Sequence, residues 1–122
     1  MLAEARRLLR QVETKRLIVH VPALLLYEVG NILLLKTYLD SDGLEKAVDG
    51  LEALPFIVAP PATPLLRRAA QLGKEFTLTF YDASFLALAV ELDCLLVTAD
   101  GRFFDRTKSL ARVRHLSKIG AL

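Results

Sequence analysis

The sequence has few of the residues that mark several protein classes. Among its 122 residues there are one cysteine, one methionine and no tryptophan. A single cysteine, Cys94, excludes a disulfide framework within the chain and a thiolate metal cluster. Its setting in "DCLLVTAD" predicts a small buried side chain on a strand.

Long apolar runs and a strong charge of one sign are also missing. Every apolar run is broken by a charge or an amide well before the roughly 18 residues that a membrane span requires. The N-terminal "MLAEARRLLRQ" lacks the apolar core and cleavage site of a signal peptide. The net charge of +2 is too small to indicate nucleic-acid binding by itself. We therefore expect a cytoplasmic protein with no membrane partner.

Apolar residues, in contrast, are abundant and follow two periodicities. They make up 53% of the chain, which indicates a globular protein, and 122 residues fit one domain over residues 1–122. Amphipathic stretches alternate with short apolar runs such as "LIVHVP", "FIVAP" and "CLLVTAD", with "RVRHLS" as a possible fourth. This alternation predicts βαβ units: an α/β fold with a mostly parallel sheet flanked by helices.

A carboxylate and the chain's one asparagine interrupt the apolar segment "LLLYEVGNILLLK". If this segment is a helix that runs to about Leu39, with Lys36 and Asp40 on its wet side, Glu28 and Asn31 face the protein. A buried carboxylate needs an arginine partner, hydrogen bonds or a metal ion. The sequence leaves these alternatives open.

Two more carboxylates have positions that suggest a site. Asp100 follows the apolar run "LLVT", where parallel strands end and ligands of open α/β folds bind. Asp82 lies in the first turn of a predicted helix, where a purely structural role beside the helix dipole is the alternative. Together with Glu28 they form a candidate all-oxygen cluster, which would select Mg²⁺ or Mn²⁺.

The segments "VPALLLYEVGNILL", "TFYDASFLALAVELDCLLVTAD" and "ADGRFF" resemble the PIN domain, in particular VapC-type toxins of prokaryotic toxin–antitoxin pairs. The resemblance implies a PIN-like three-layer α/β fold and a ribonuclease that uses Mg²⁺ or Mn²⁺. It implies that Glu28, Asp82 and Asp100 are the catalytic metal ligands. Asn31 and Thr98 match polar positions beside them, as supporting or substrate contacts.

The same resemblance implies an RNA substrate and protein partners. Single-stranded or looped RNA would be hydrolysed at a phosphodiester bond, and an antitoxin would neutralise the enzyme. The candidates for contacts to RNA are Arg102, Arg106 and Lys108, from a basic C-terminal stretch that could equally be a solvated surface.

One part of the family pattern has no counterpart here. Family members begin with a central strand that ends in an aspartate, whereas "MLAEARRLL" resembles the helix after that strand. We therefore expect an N-terminally truncated PIN-like domain whose two strand pairs close up or borrow a strand, with a homodimer as one means of compensation. The alternative function is a catalytically impaired module that binds RNA or antitoxin. A phosphate-receiving response regulator ranks last, because no suitable aspartate and lysine pair is present.

Overall fold

The computed structural model describes residues 2–120, in which short parallel strands alternate with helices. The helices are α1 (Leu2–Glu13), α2 (Leu24–Leu34), α3 (Ser41–Glu52), α4 (Thr63–Phe76), α5 (Phe80–Leu92) and α6 (Gly101–Thr107). The strands are β1 (Val19–Pro22), β2 (Phe56–Ala59), β3 (Leu96–Thr98) and β4 (Val113–His115), and a 3₁₀ turn spans Leu116–Lys118. None of the helices within residues 2–120 has the length and apolar character needed to cross a bilayer.

The four strands form two separate parallel pairs. Strand β1 pairs with β2, with Val19 opposite Phe56. Strand β3 pairs with β4, with Leu96 opposite Val113. Within residues 2–120 no strand bridges the two pairs. The predicted parallel pairing and α/β class are confirmed. Within residues 2–120 the two strand pairs do not close up into one sheet, which was one of the two outcomes that the sequence predicted.

The core is built where α4 packs on α5. The buried cluster consists of Ala69, Leu72, Ala83, Leu86, Ala87, Phe103 and Val113. Gly73 faces Ala83 where the two helices meet, and a Cβ at this position would lie 3.4 Å from the Cβ of Ala83, an ordinary contact distance. Arg68 and Glu91 join the same helices at their surface with an ion pair of 3.0 Å. Helix α5 also contacts β1 and β3, so it is the element on which both strand pairs rest.

Helix α3 is capped by Asp40, whose carboxylate accepts the Gly43 N–H at 2.7 Å. The prediction that Cys94 is a buried side chain on a strand was wrong. Cys94 is exposed and lies before β3, which begins at Leu96. The apolar run around Cys94 resembles a buried strand, but one side of this segment has no strand beside it within the described residues.

Candidate active site

One cavity of about 310 Å³ brings together side chains from three parts of the chain. Glu28 comes from α2, Asp82 from the first turn of α5, and Thr98 and Asp100 from the end of β3. This is the carboxyl end of a parallel strand, where the sequence placed the site. The three predicted carboxylates therefore share a cavity, which is what sequence spacing by itself could not establish.

Asp100 is held by the start of α6. Its Oδ1 accepts the N–H groups of Arg102 at 2.9 Å and Phe103 at 3.1 Å, so it is the cap of that helix. Its own N–H donates to the Thr98 Oγ1 at 3.0 Å, which fixes the turn after β3. Both cap bonds use Oδ1, and within the described residues no hydrogen bond reaches Oδ2. Asp100 therefore has a structural role as a helix cap, and this role leaves one of its oxygens for a ligand.

Asp82 is positioned by the start of α5 without using its carboxylate. Thr79 caps the helix, and its Oγ1 accepts the Asp82 N–H at 3.1 Å. This bond uses the backbone of Asp82 and not its carboxylate. The half-buried carboxylate is therefore held in place by the backbone of the first helical turn. The side chain can therefore be changed with the cap intact.

The sequence predicted that Glu28 and Asn31 face the protein interior, and this prediction was wrong. Both residues are exposed, and α2 has no buried residue. The physical reason is that α2 ends at Leu34, so Lys36 and Asp40 are not on this helix and do not define its wet side. Glu28 lines the cavity at its open rim, whereas Asn31 is not among the cavity's lining residues.

The three basic candidates lie outside the cavity lining. The guanidinium of Arg106 donates to the Thr77 carbonyl at 2.7 Å, a contact that ties α6 to the end of α4. Lys108 pairs with Asp105 at 3.7 Å on the same helix turn. Arg102 is exposed in the first turn of α6, two residues after Asp100. Of the three, Arg102 lies nearest along the chain to a carboxylate of the cavity.

The cavity contains the oxygen ligands typical of a divalent-cation site, but these ligands are not close enough together to bind one ion. Carboxylate and hydroxyl oxygens are the ligands that Mg²⁺ and Mn²⁺ prefer. Within residues 2–120, however, no three His, Cys, Asp or Glu side chains are close enough together to hold one ion. Glu28 lies on the helix after β1, and Asp100 follows β3. The distance between their carboxylates therefore depends on how the two strand pairs are placed, and within residues 2–120 no strand ladder connects those pairs.

Two aromatic wall residues were missed by the sequence reasoning. Phe85 and Phe103 line the same cavity. Each lies three residues after an acidic site residue: Phe85 after Asp82 in the first turn of α5, and Phe103 after Asp100, the cap of α6. Residues three apart are neighbours on a helix surface, so this repeated spacing was the signal that could have found them.

The family assignment rests on a match over almost the whole chain. The profile of the PIN domain family matches residues 2–110. The chain belongs to the PIN domain family. This confirms the resemblance that the sequence segments carried, and the α/β architecture of this PIN domain agrees with it.

Named relatives support the same assignment. The chain is 37% identical over 91 residues to "Ribonuclease VapC1" from two strains of Mycobacterium tuberculosis, CDC 1551/Oshkosh and ATCC 25618/H37Rv, which covers 72% of this chain and 67% of the relative. It also resembles the crystal structure of PAE2754 from Pyrobaculum aerophilum, with a TM-score of 0.63 and 27% identity over 82% of this chain and 72% of that one. The VapC-type resemblance is thereby confirmed at the level of the family.

Replacing Glu28 with Gln should stabilise the PIN domain in the absence of divalent cations. Glu28 shares a cavity with Asp82 and Asp100, and within residues 2–120 it has no ion-pair partner. Removing one of three like charges should raise the melting temperature by roughly 1–3 °C at low salt, and less at 1 M salt, where exposed charges are screened. Glu45→Gln on the exposed face of α3 is the matched control. A lower melting temperature for Glu28→Gln would instead indicate a stabilising ion pair.

Proposed function

We propose that this PIN domain is a metal-dependent ribonuclease that hydrolyses RNA phosphodiester bonds as the cytoplasmic toxin of a toxin–antitoxin pair. The observation that carries the proposal is the cavity that Glu28, Asp82 and Asp100 share at the end of β3. The 37% identity to a protein named Ribonuclease VapC1 supports the same reaction.

In this proposal the three carboxylates bind the ion, and the other residues of the cavity position these carboxylates or form the walls beside them. A bound Mg²⁺ or Mn²⁺ would supply an activated water and charge stabilisation at the phosphate. Asp100 presents Oδ2 while its Oδ1 stays on the helix cap, and Thr98 fixes the backbone that carries it. Phe85 and Phe103 form apolar walls beside the carboxylates.

Single-stranded RNA is the substrate that the surroundings of the cavity favour. Phe80 and Tyr81 directly precede Asp82, and their side chains are 49% and 64% exposed. Exposed aromatic rings stack on unpaired bases of any sequence, and Arg102 can contact a phosphate of the same strand. Asn31, at the exposed face of α2, is a further candidate contact to the strand.

Protein partners are supported by an apolar surface that we name the α2–α3 face. It consists of the exposed side chains Ile32, Leu34, Leu35, Tyr38 and Val48. Large exposed apolar patches mark surfaces that bind other proteins, and these exposed side chains between α2 and α3 are candidates for such a surface. The proposal therefore includes an antitoxin, and a homodimer of this chain.

A second candidate function follows from the wide spacing of the carboxylates. Because no three ligands within residues 2–120 approach one point, a domain that binds RNA or antitoxin without cutting is also consistent with the cavity. Such a module would bind RNA through phosphate contacts, and its affinity would fall steeply with salt concentration while the RNA stayed intact.

The experiment that separates the two functions is incubation of the purified chain with single-stranded RNA in Mn²⁺ or in EDTA. The ribonuclease predicts products in Mn²⁺ and intact RNA in EDTA. The binding module predicts a salt-sensitive complex with intact RNA in both conditions. A double-stranded RNA of the same sequence is the control for substrate class and should be cut more slowly.

A further inference from the structure

The net charge of +2 conceals an uneven distribution of charge along the chain. Residues 2–16 contain five Lys or Arg and two Glu, and residues 102–118 contain six Lys or Arg and one Asp. The residues from 17 to 101 contain five Lys or Arg and eleven Asp or Glu. Positive charge is therefore concentrated in two segments near the two ends of the sequence. A surface that carries an excess of one charge attracts ligands of the opposite charge.

The fold brings these two basic segments together. Helix α1 contacts the 3₁₀ turn Leu116–Lys118, which directly follows β4. Arg114 on β4 lies opposite Val97 in the ladder, and Val97 lines an apolar cleft that α1 also lines. Leu116, in the 3₁₀ turn, lines the same cleft. Basic residues that are far apart in the sequence therefore lie on neighbouring elements.

Five exposed cations on these elements take no part in structural contacts. Within residues 2–120 no hydrogen bond or ion pair engages their side chains. They are Arg6, Arg7 and Arg10 on α1, Arg114 on β4, and Lys118 in the 3₁₀ turn. We name them the α1–β4 basic surface. Arg106, Lys108 and Arg112, in contrast, donate to carbonyl or carboxylate oxygens, so their charges are partly satisfied within the fold.

The three arginines of α1 project from the side of the helix that faces solvent. Arg6 and Arg10 are four residues apart and Arg7 and Arg10 are three apart, spacings that place side chains on one face of a helix. On the other face Leu8 and Val12 line the cleft, and Val12 is only 4% exposed. The apolar face therefore anchors α1, and the basic face stays available for a ligand.

The basic surface begins at the edge of the strands where the carboxylate cavity lies. A short turn joins the end of α1 to β1, and both line the apolar cleft, so α1 runs back along β1 and starts near the carboxyl edge of the strands. The 3₁₀ turn starts at the same edge, because Thr98 lies opposite His115 at the ends of β3 and β4. Asp100 follows Thr98 there. The basic surface and the carboxylates thus share one edge of the molecule.

We propose that the α1–β4 basic surface binds the phosphate backbone of single-stranded RNA outside the cavity and positions the strand for cleavage. This proposal rests on the proposed ribonuclease function. Guanidinium groups bind phosphate oxygens in a bidentate manner, and a basic surface that follows the backbone holds a single strand without reading its sequence. Each phosphate that a cation of this surface neutralises releases bound counterions, so the affinity falls as the salt concentration rises.

Binding in the absence of a divalent ion isolates this surface from the cavity. Without an ion, the carboxylates of Glu28, Asp82 and Asp100 repel a phosphate. The attraction for RNA must then come from cations elsewhere on the protein. RNA binding in EDTA therefore measures the basic surface and does not depend on cleavage.

Two matched double variants test the proposal through the fluorescence anisotropy of a labelled single-stranded RNA of about 12 nucleotides in EDTA. Arg6→Gln/Arg10→Gln removes two charges from the surface, and Gln supports a helix nearly as well as Arg. At about 50 mM salt its Kd should rise at least about 10-fold. The slope of log Kd against log salt concentration should fall by about 1.4, since each lost contact to a single strand contributes about 0.7. Lys36→Gln/Arg67→Gln has the same net charge but alters exposed cations outside the surface, and its Kd should stay within about 2-fold of the wild-type value.

Lys118→Gln gives a second measurement on an element other than α1, and it keeps the test open if the α1 variant does not fold. Its Kd should rise at least about 3-fold with the melting temperature unchanged. Equal Kd values for the α1 variant and its control would overturn the proposal, because net charge alone would then account for the binding. With an unfolded α1 variant, a wild-type Kd for Lys118→Gln would overturn it.

Cleavage in Mn²⁺ separates this proposal from the ribonuclease function on which it rests. The α1 variant should raise KM for cleavage and leave kcat within about 2-fold, because it removes binding that the ground state and the transition state share. If the wild-type chain leaves RNA intact and the α1 variant still binds at least about 10-fold more weakly than its control, the ribonuclease function fails and the RNA-binding surface stands. If the wild-type chain cleaves RNA, and the α1 variant binds and cleaves it as well as its control does, the basic surface fails and the ribonuclease function stands.

Discussion

Asp82→Asn should reduce Mn²⁺-supported cleavage of single-stranded RNA by at least about 100-fold, about 2.7 kcal/mol of transition-state stabilisation. The amide keeps the size of the carboxylate but loses the charge that a divalent cation requires. The cap of α5 stays intact, because Thr79 bonds to the backbone N–H of Asp82. The loss should therefore appear in activity, with the melting temperature unchanged or slightly raised.

Asp100→Asn should have the same effect on cleavage for the same reason. Asn and Asp are almost equally good helix caps, so the bonds to the N–H groups of Arg102 and Phe103 should persist. Asp49→Asn, on the exposed surface of α3, is the matched control and should cleave RNA at the wild-type rate. Cleavage that stays at the wild-type rate in both the Asp82 and Asp100 variants would remove these residues from the active site.

Leu86→Ala should have the largest effect on stability. Leu86 is fully buried in the α4–α5 core, next to the close helix contact at Gly73. Truncation of a buried leucine loses its transfer free energy and leaves a cavity, at a cost of about 2–5 kcal/mol. Domains of this size have total stabilities of about 5–15 kcal/mol, so chemical denaturation should show a much lower midpoint.

Leu66→Ala on α4 is the matched control for this substitution. Leu66 is 42% exposed, and alanine favours the helix, so its free energy of unfolding should change by less than about 1 kcal/mol. If Leu86→Ala cost no more than Leu66→Ala, the α4–α5 contact would not be the core on which the strand pairs rest.

Much of the fold was predictable because its signals are local. The Thr79 cap and the apolar run that follows it specify α5, and the short apolar runs specify β1 to β4. Errors arose where a local sequence pattern was compatible with more than one structure. The leucines beyond Leu34 continue the helical pattern, but the chain leaves the helix there, and the inferred wet side of α2 was wrong with it.

The site was predictable in its members but not in its geometry. Glu28, Asp82 and Asp100 were identified from their settings, and the structure places all three around one cavity. Their separation could not be derived, because it depends on how far apart the two strand pairs lie. The exposure of Leu95 and Val97, 47% and 37%, could not be derived either, because it is a property of the assembled strands and not of their sequence.

The central claim is that carboxylates from α2, α5 and the end of β3 bind one divalent cation, which requires them to approach one another more closely than they do in this structure. Its most direct test is Mn²⁺ binding, followed by electron paramagnetic resonance, in the wild-type chain and in Glu28→Gln, Asp82→Asn and Asp100→Asn. We expect one Mn²⁺ per chain, and an affinity at least about 10-fold weaker in each variant. Equal affinity for Mn²⁺ in all four proteins would show that these carboxylates do not share an ion.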